Sequence, residues 1–227
     1  MQKTINHYGS YIVLMILSLV LESIIEFDEF FQQLFLKNGR WIISPEFHAQ
    51  YKWFFYTGIK VCIIIFTIGL FLCLLFFIYS KNKSYKKWIK PLLYVIICII
   101  VIPLTVSFLK AKLGVYGPKN LLLYGGEKEH IGFLMQIWKY GHVAGGRCFP
   151  AGHASGGFAL MSLCLFPVSN RNRKLLLLVG FTLGWLMGLY QMARGEHFIT
   201  HTLFTMFLSL FVISLLKKVD CQSSLDA

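Results

Sequence analysis

The stretch PLLYVIICIIVIPLTVSFL, residues 91–109, carries no charged side chain over its nineteen residues. As a helix such a run is long enough to cross the roughly 30 Å hydrocarbon core of a bilayer. Five further apolar stretches accompany it, at 11–25, 53–79, 154–168, 175–192 and 198–216. The 154–168 stretch is short and contains glycine, and 53–79 carries Lys60 near its start, whereas 91–109 and 198–216 are nearly free of charge. The first stretch contains Glu22 and lacks a small-x-small cleavage site, so it reads as an uncleaved helix rather than a signal peptide. The pattern predicts an all-α fold: a polytopic membrane protein, a six-transmembrane helix bundle in one domain over 1–227.

Of the 227 residues 56% are hydrophobic and 14% charged, more apolar groups than one soluble core of this size needs. Disorder, collagen-like repeats and a disulfide-stapled mini-domain are excluded. The formal net charge is +12, and its placement explains it. Lys3, Lys81, Lys83, Lys86, Lys87, Lys90, Arg171, Arg173, Lys174, Lys217 and Lys218 all fall on one side of the six-helix layout. The positive-inside rule makes that side cytoplasmic, with both termini inside and the connections 26–52, 110–153 and 193–197 outside. Lysine and arginine beside anionic lipid need no nucleic-acid partner. Cys62, Cys73, Cys98 and Cys164 fall in spans as small apolar residues, while Cys148 lies outside and Cys221 inside, so no disulfide is expected.

Polar residues gather in three places, all on the outer side of this topology. FLKAKLGVYGPKN (108–120) sets Lys110, Lys112 and Lys119 around a Gly114, Gly117 and Pro118 turn. GGRCFPAGHASGG (145–157) sets Arg147 and His153 about a turn whose Pro150, Gly152, Gly156 and Gly157 expose backbone N–H groups at a helix start, where an anion is favoured. QMARGEHFITHTL (191–203) carries Arg194, His197 and His201 at spacings of three and four. If the last span begins near Arg194, these three share one helical face, turned towards the bundle interior with Lys110 and His153.

The acids in these outer segments are Glu127, Glu129 and Glu196, none at a metal-box spacing, which argues against a magnesium phosphatase. Histidines four apart admit a zinc reading with His130, His142 or His153 as third ligand, but the nearby cations oppose it. Cations around two or more histidines instead suit a phosphate ester: the cations and backbone donors hold its oxygens, one imidazole attacks phosphorus and another protonates the leaving oxygen. This chemistry needs neither metal nor cofactor.

The three segments resemble the type-2 phosphatidic acid phosphatase superfamily, whose signature is K-x6-R-P, P-S-G-H and S-R-x5-H-x3-D. Here Lys110 is followed after six residues by Gly117 and Pro118; the second segment is Pro150, Ala151, Gly152, His153; the third runs from Gln191 through His197 to His201. The resemblance covers about residues 90–216. It implies a nucleophilic His197 that forms a phosphohistidine, His153 as general acid, and phosphate held by Lys110 and the backbone around Gly152. Gly117 and Gln191 stand where the family has arginine, Ala151 where it has serine, and His201 where it has the aspartate that orients the nucleophile. Arg194 is the candidate to replace the charge missing at Gln191, and Lys119 or Arg147 that missing at Gly117. A neutral His201 can accept the same hydrogen bond with less electrostatic help, and Glu196 is the nearby reserve carboxylate.

The expected protein is a bacterial inner-membrane phosphatase whose active site faces the periplasm. Its partners are membrane lipids and a lipid-linked phosphate substrate, of the lipid A, undecaprenyl pyrophosphate or phosphatidylglycerol phosphate class. Tyr116, Tyr124, Trp138 and Tyr140 would shape headgroup selection or anchor the interface. The alternatives are a noncatalytic phospholipid-binding or transport protein and a metal-dependent histidine-box protein. No small-xxx-small dimer face is clear, so the sequence gives no oligomeric state.

Overall fold

Apolar runs in lipid have no water to satisfy their backbone N–H and C=O groups, so the chain satisfies them within helices. The computed structural model describes residues 8–132, 134–135 and 145–223; Lys3, Trp138, Tyr140 and His142 lie outside the described residues. Helices α1 (Tyr8–Glu22) and α2 (Ile25–Gln32) are followed by a hairpin of β1 (Leu36–Lys37) and β2 (Arg40–Trp41). Helix α3 (Pro45–Lys52) runs through a π-helical turn, Trp53–Gly58, into α4 (Ile59–Tyr79). Then come α5 (Lys86–Leu113), α6 (Gly152–Ala159), α7 (Asn170–Met192) and α8 (Ile199–Ser223).

Among the described residues four helical stretches are long and apolar enough to cross a membrane: Tyr56–Tyr79, Lys83–Asn120, Asn170–Met192 and Ile199–Lys217. The first predicted span ends as helix at Glu22, and α1 with the segment Glu26–Phe35, bent by 85°, makes a fifth if the pair is one span. The 154–168 stretch forms no long helix. It is α6, eight residues that tighten into a 3-10 helix over Leu160–Leu165. Together with the 3-10 segment it rises roughly 24 Å, and α6 packs against α5, α7 and α8 through its buried Ala154, Ser155, Gly157, Phe158 and Ala159.

The core follows helical spacing. Val95, Cys98, Ile99, Ile102 and Val106 recur at three and four residues along α5 and are buried, while Ile100, Leu104 and Phe108 face outward. On α4 only Leu74 is buried among the described side chains, as suits a helix whose surroundings are as apolar as its own side chains. The backbones of α6 and α7 nearly touch. A Cβ on Gly157 would strike the Gly184 backbone, and one on Gly180 would strike that of Met161, so small residues are required there.

Helix α1 runs antiparallel to α8. The Tyr8 hydroxyl donates to the Ser214 carbonyl at 3.0 Å near one end, and at the other the Asp28 carboxylate accepts from Thr200 N–H at 3.2 Å and Thr200 Oγ1 at 2.6 Å. Asp28 is fully buried and sits where α8 begins with unpaired N–H groups and a positive dipole end. Asp28→Ala removes this acceptor and strands two buried donors, so it should cost about 2–3 kcal/mol. The check is the Tm of the detergent-solubilised protein, which should fall clearly in Asp28→Ala and less in Asp28→Asn; an unchanged Tm would contradict this role.

Candidate active site

Gly114, at φ 62°, ends α5 just after Lys110 and turns the chain into the first polar segment. The second segment docks on the first through Gly146 N–H to Gly114 O, 2.8 Å, and Cys148 N–H to Val115 O, 2.9 Å. It then enters α6, whose N-cap Ala151 offers no side-chain oxygen to the first-turn N–H groups. Those donors are free to meet an anion, as the glycine-rich start of this helix suggests.

The third segment is not the start of a helix. Gly195 N–H donates to Met192 O and Glu196 N–H to Gln191 O, both at 2.9 Å, with Gly195 at φ 70°. This Schellman closure ends α7 and makes 193–198 a loop, so α8 begins at Ile199 rather than near Arg194. Arg194, His197 and His201 therefore do not form one helical stripe, because a glycine in the left-handed region breaks the periodicity on which the expectation rests.

Lys110, Arg147, His153, Arg194 and His197 nevertheless line one cavity of about 300 Å³ with His48, Lys52, Tyr56, Cys148, Gln191 and Glu196. Gly152 borders it: a Cβ there would lie 3.6 Å from Lys110 Nζ. Arg194 reaches the cavity because Gln191 Oε1 accepts from its Nη1 at 2.9 Å and Glu196 Oε1 from its Nη2 at 3.1 Å. The family arginine at position 117 has no room here, since a Cβ on Gly117 would strike the Glu196 carbonyl. Of the two candidates to replace it, Arg147 lines the cavity, whereas Lys119 is not among its lining residues and pairs with Glu196 at 2.7 Å. Glu196 is thus committed to two cations and is no reserve orienting group for His197.

His201 lies behind the cavity, fully buried, with its ring centroid 5.8 Å from that of His197. Its Nδ1 lies 3.1 Å from the Cys148 carbonyl and must donate to it, which leaves Nε2 able only to accept. Neither His201 Nε2 nor His197 Nδ1 has a well-formed hydrogen bond among the described residues. The two atoms are complementary, acceptor and donor, but no hydrogen bond joins them.

His130 packs edge-on to Phe198 outside the cavity, and among the described residues no three His, Cys, Asp or Glu side chains gather to hold a metal ion. Three lining residues have no counterpart in the sequence argument: His48, Lys52 and Tyr56. Their spacing of four on one helix face is the signal that would have found them.

Burial, then Lys110 and Arg194, holds the His153 imidazole down to about 4, below its ordinary 6.5. His197 is pushed well below its ordinary value by burial, then by His201 and Lys110. Both are neutral near pH 7, the form that makes an imidazole a nucleophile or a base. Because the unfolded chain binds a proton at His153 that the folded chain refuses, stability falls as pH drops from 6.5 towards about 4. The Tm of the solubilised protein should therefore fall between about pH 7 and pH 5, and fall less in His153→Gln; equal slopes would contradict the burial argument.

Comparison with curated proteins and with solved structures gives no match. The family model of the PAP2 superfamily matches residues 88–220, more than half of the chain. The match takes in all three segments that build the cavity, and the chain belongs to this superfamily, the type-2 phosphatidic acid phosphatases.

Proposed function

We propose that the protein removes a phosphoryl group from a lipid headgroup through a phosphohistidine on His197, without a metal ion. The family supports the coarser statement outright: its members are phosphatases, and the chain is a hydrolase of that kind. The single observation that carries the finer reading is the meeting of Lys110, His153, Arg194 and His197, from three separated segments, around one cavity.

In this reading Lys110, Arg194 and the first-turn N–H groups of α6 hold the phosphoryl oxygens as charge shifts onto them. A neutral His197 nitrogen attacks phosphorus, the bond from phosphorus to the leaving oxygen breaks, and His153 gives that oxygen a proton. The substrate monoanion, whose second pKa is about 6, supplies the proton that a neutral His153 lacks. Water, deprotonated by His153, then displaces His197 from phosphorus and releases phosphate.

A lipid substrate is supported by a second, apolar cavity of about 470 Å³ lined by Trp53, Phe54, Ile59, Ile63, Phe66 and Leu160, among others. The turn Trp53–Gly58 borders both cavities, since its Tyr56 lines the polar one. A headgroup and its chain are thus accommodated side by side. The basic clusters 81–90 and 171–174 lie at the starts of α5 and α7, whose opposite ends meet the cavity. That placement favours a bacterial inner membrane with the site on the periplasmic face. The lipid A, undecaprenyl pyrophosphate and phosphatidylglycerol phosphate classes are the substrates to compare.

A noncatalytic lipid-binding protein is the second reading, favoured by one observation: His197 Nδ1 lacks an orienting partner. Phosphate release from the three lipid classes with EDTA present separates the two. Release should survive chelation, vanish in His197→Ala, fall by about 10²–10⁴ in His153→Ala, and show kcat/KM declining above about pH 6 as the substrate monoanion ionises. Full activity in His197→Ala, or release that EDTA abolishes, would overturn the mechanism.

A further inference from the structure

His48, Lys52 and Tyr56 recur every fourth residue from α3 into the π-helical turn, and all three line the cavity. They lie outside residues 88–220, so the three family segments do not account for them. Single π-helical turns inserted in helices are frequent at functional sites, where they re-aim side chains. His48 is held by its Nδ1, 2.8 Å from the Tyr190 hydroxyl, and by its ring, 5.5 Å from that of Tyr56. Tyr56 is also the neighbour of His153, with ring centroids 4.1 Å apart, and Arg194 lies 5.8 Å from its ring. The Lys52 ammonium is 5.9 Å from the same ring. One aromatic side chain thus links the reacting end of the cavity to a second group of nitrogen donors.

Charge shows what those donors await. Lys52, Lys110, Arg147 and Arg194 line the cavity against Glu196, the one carboxylate among the described lining residues, and Glu196 also takes Lys119. A single phosphoryl group brings about 1.5–2 negative charges near neutral pH, fewer than this surplus of cations can match. Lys110 and Arg194 are half-buried while Lys52 and Arg147 are exposed at the cavity's edge, and cations gathered around one cavity repel one another less once an anion joins them.

We propose that His48 and Lys52 form a second anion subsite, so that the preferred substrate is a lipid diphosphate. This rests on the phosphatase reading of the same cavity. The terminal phosphoryl group lies against Lys110, His153 and His197, and the phosphoryl group bonded to the lipid lies against Lys52 and His48. A His197 nitrogen bonds to the terminal phosphorus while the bond from that phosphorus to the bridging oxygen breaks. The electron pair stays on that oxygen, which leaves with the lipid monophosphate and takes, through His153, the proton carried by the terminal phosphoryl group. Lys52 and His48 stabilise the charge that collects on this leaving group, an interaction a lipid monophosphate does not offer.

The test is calorimetric binding of methylenediphosphonate and of inorganic phosphate to the full-length, detergent-solubilised protein, with Lys52→Ala and Lys52→Arg beside it. The wild type should bind the diphosphonate about tenfold or more tightly than phosphate. Lys52→Ala should bring the two within about threefold, and Lys52→Arg should keep most of the preference. Equal binding by the wild type, or an undiminished preference in Lys52→Ala, would overturn the subsite. The second arm compares phosphate release from a prenyl diphosphate and a prenyl monophosphate. Faster release from the diphosphate, with that ratio falling in Lys52→Ala, supports the proposal; equal release with an unmoved ratio overturns it. A Lys52-dependent diphosphonate preference without release from either lipid would keep the subsite and sink the phosphatase reading.

Discussion

His197 is carried on a loop, and hydrogen bonds from other segments to backbone carbonyls hold that loop and its flanks in place. Gln32 Nε2 donates to Met192 O at 2.9 Å, Ile43 N–H to Ala193 O at 3.0 Å, and Lys119 N–H to Gly195 O at 2.9 Å. Ala151 N–H donates to His201 O at 3.2 Å, just beyond. Buried carbonyls at a helix end need such donors, and no solvent is at hand to replace them. The same bonds that satisfy the end of α7 therefore bring Lys110, His153 and His197 around one cavity, so the site is assembled before any substrate arrives. A preassembled set of donors spends no reorganisation energy when charge moves onto the phosphoryl oxygens.

The departures from the family signature look different once packing is considered. Gly117 is required by the contact between the first and third segments, and Arg147 from the second lines the cavity. Gln191 loses its own charge but steers Arg194 into the cavity through its Oε1. His201 stands apart from these. It locks the second segment to α8 through the Cys148 carbonyl and packs against Phe149 and Phe198, with ring centroids 5.1 Å and 5.5 Å away. A buried carboxylate at that place would be costly in so apolar a cage unless it gained a charged partner.

Much of this was legible in the sequence. The charge-free run at 91–109 gave the membrane class, and the three polar segments gave five of the residues that meet in the cavity. The helical stripe through Arg194, His197 and His201 misread the site because it took the last span to begin near Arg194, whereas the left-handed φ of Gly195 closes the preceding helix and the last one begins at Ile199. The 154–168 stretch, rich in glycine, alanine and serine, is helical over Gly152–Ala159, tightens to 3-10 over Leu160–Leu165 and packs against α5, α7 and α8. Asp28 could not be placed by local pattern, since its contact reaches across the chain to Thr200, whereas the spacing of four through His48, Lys52 and Tyr56 was there to be read.

In the proposed mechanism everything turns on His197 carrying the phosphoryl group. Rapid mixing of the solubilised protein with a lipid substrate labelled on its terminal phosphate, an alkaline quench that preserves phosphohistidine, and mapping of the labelled peptide test it most directly. The account predicts one labelled site at His197, formed before free phosphate accumulates and absent from His197→Ala. Label on another residue, or steady phosphate release with no labelled protein at any time, would contradict it.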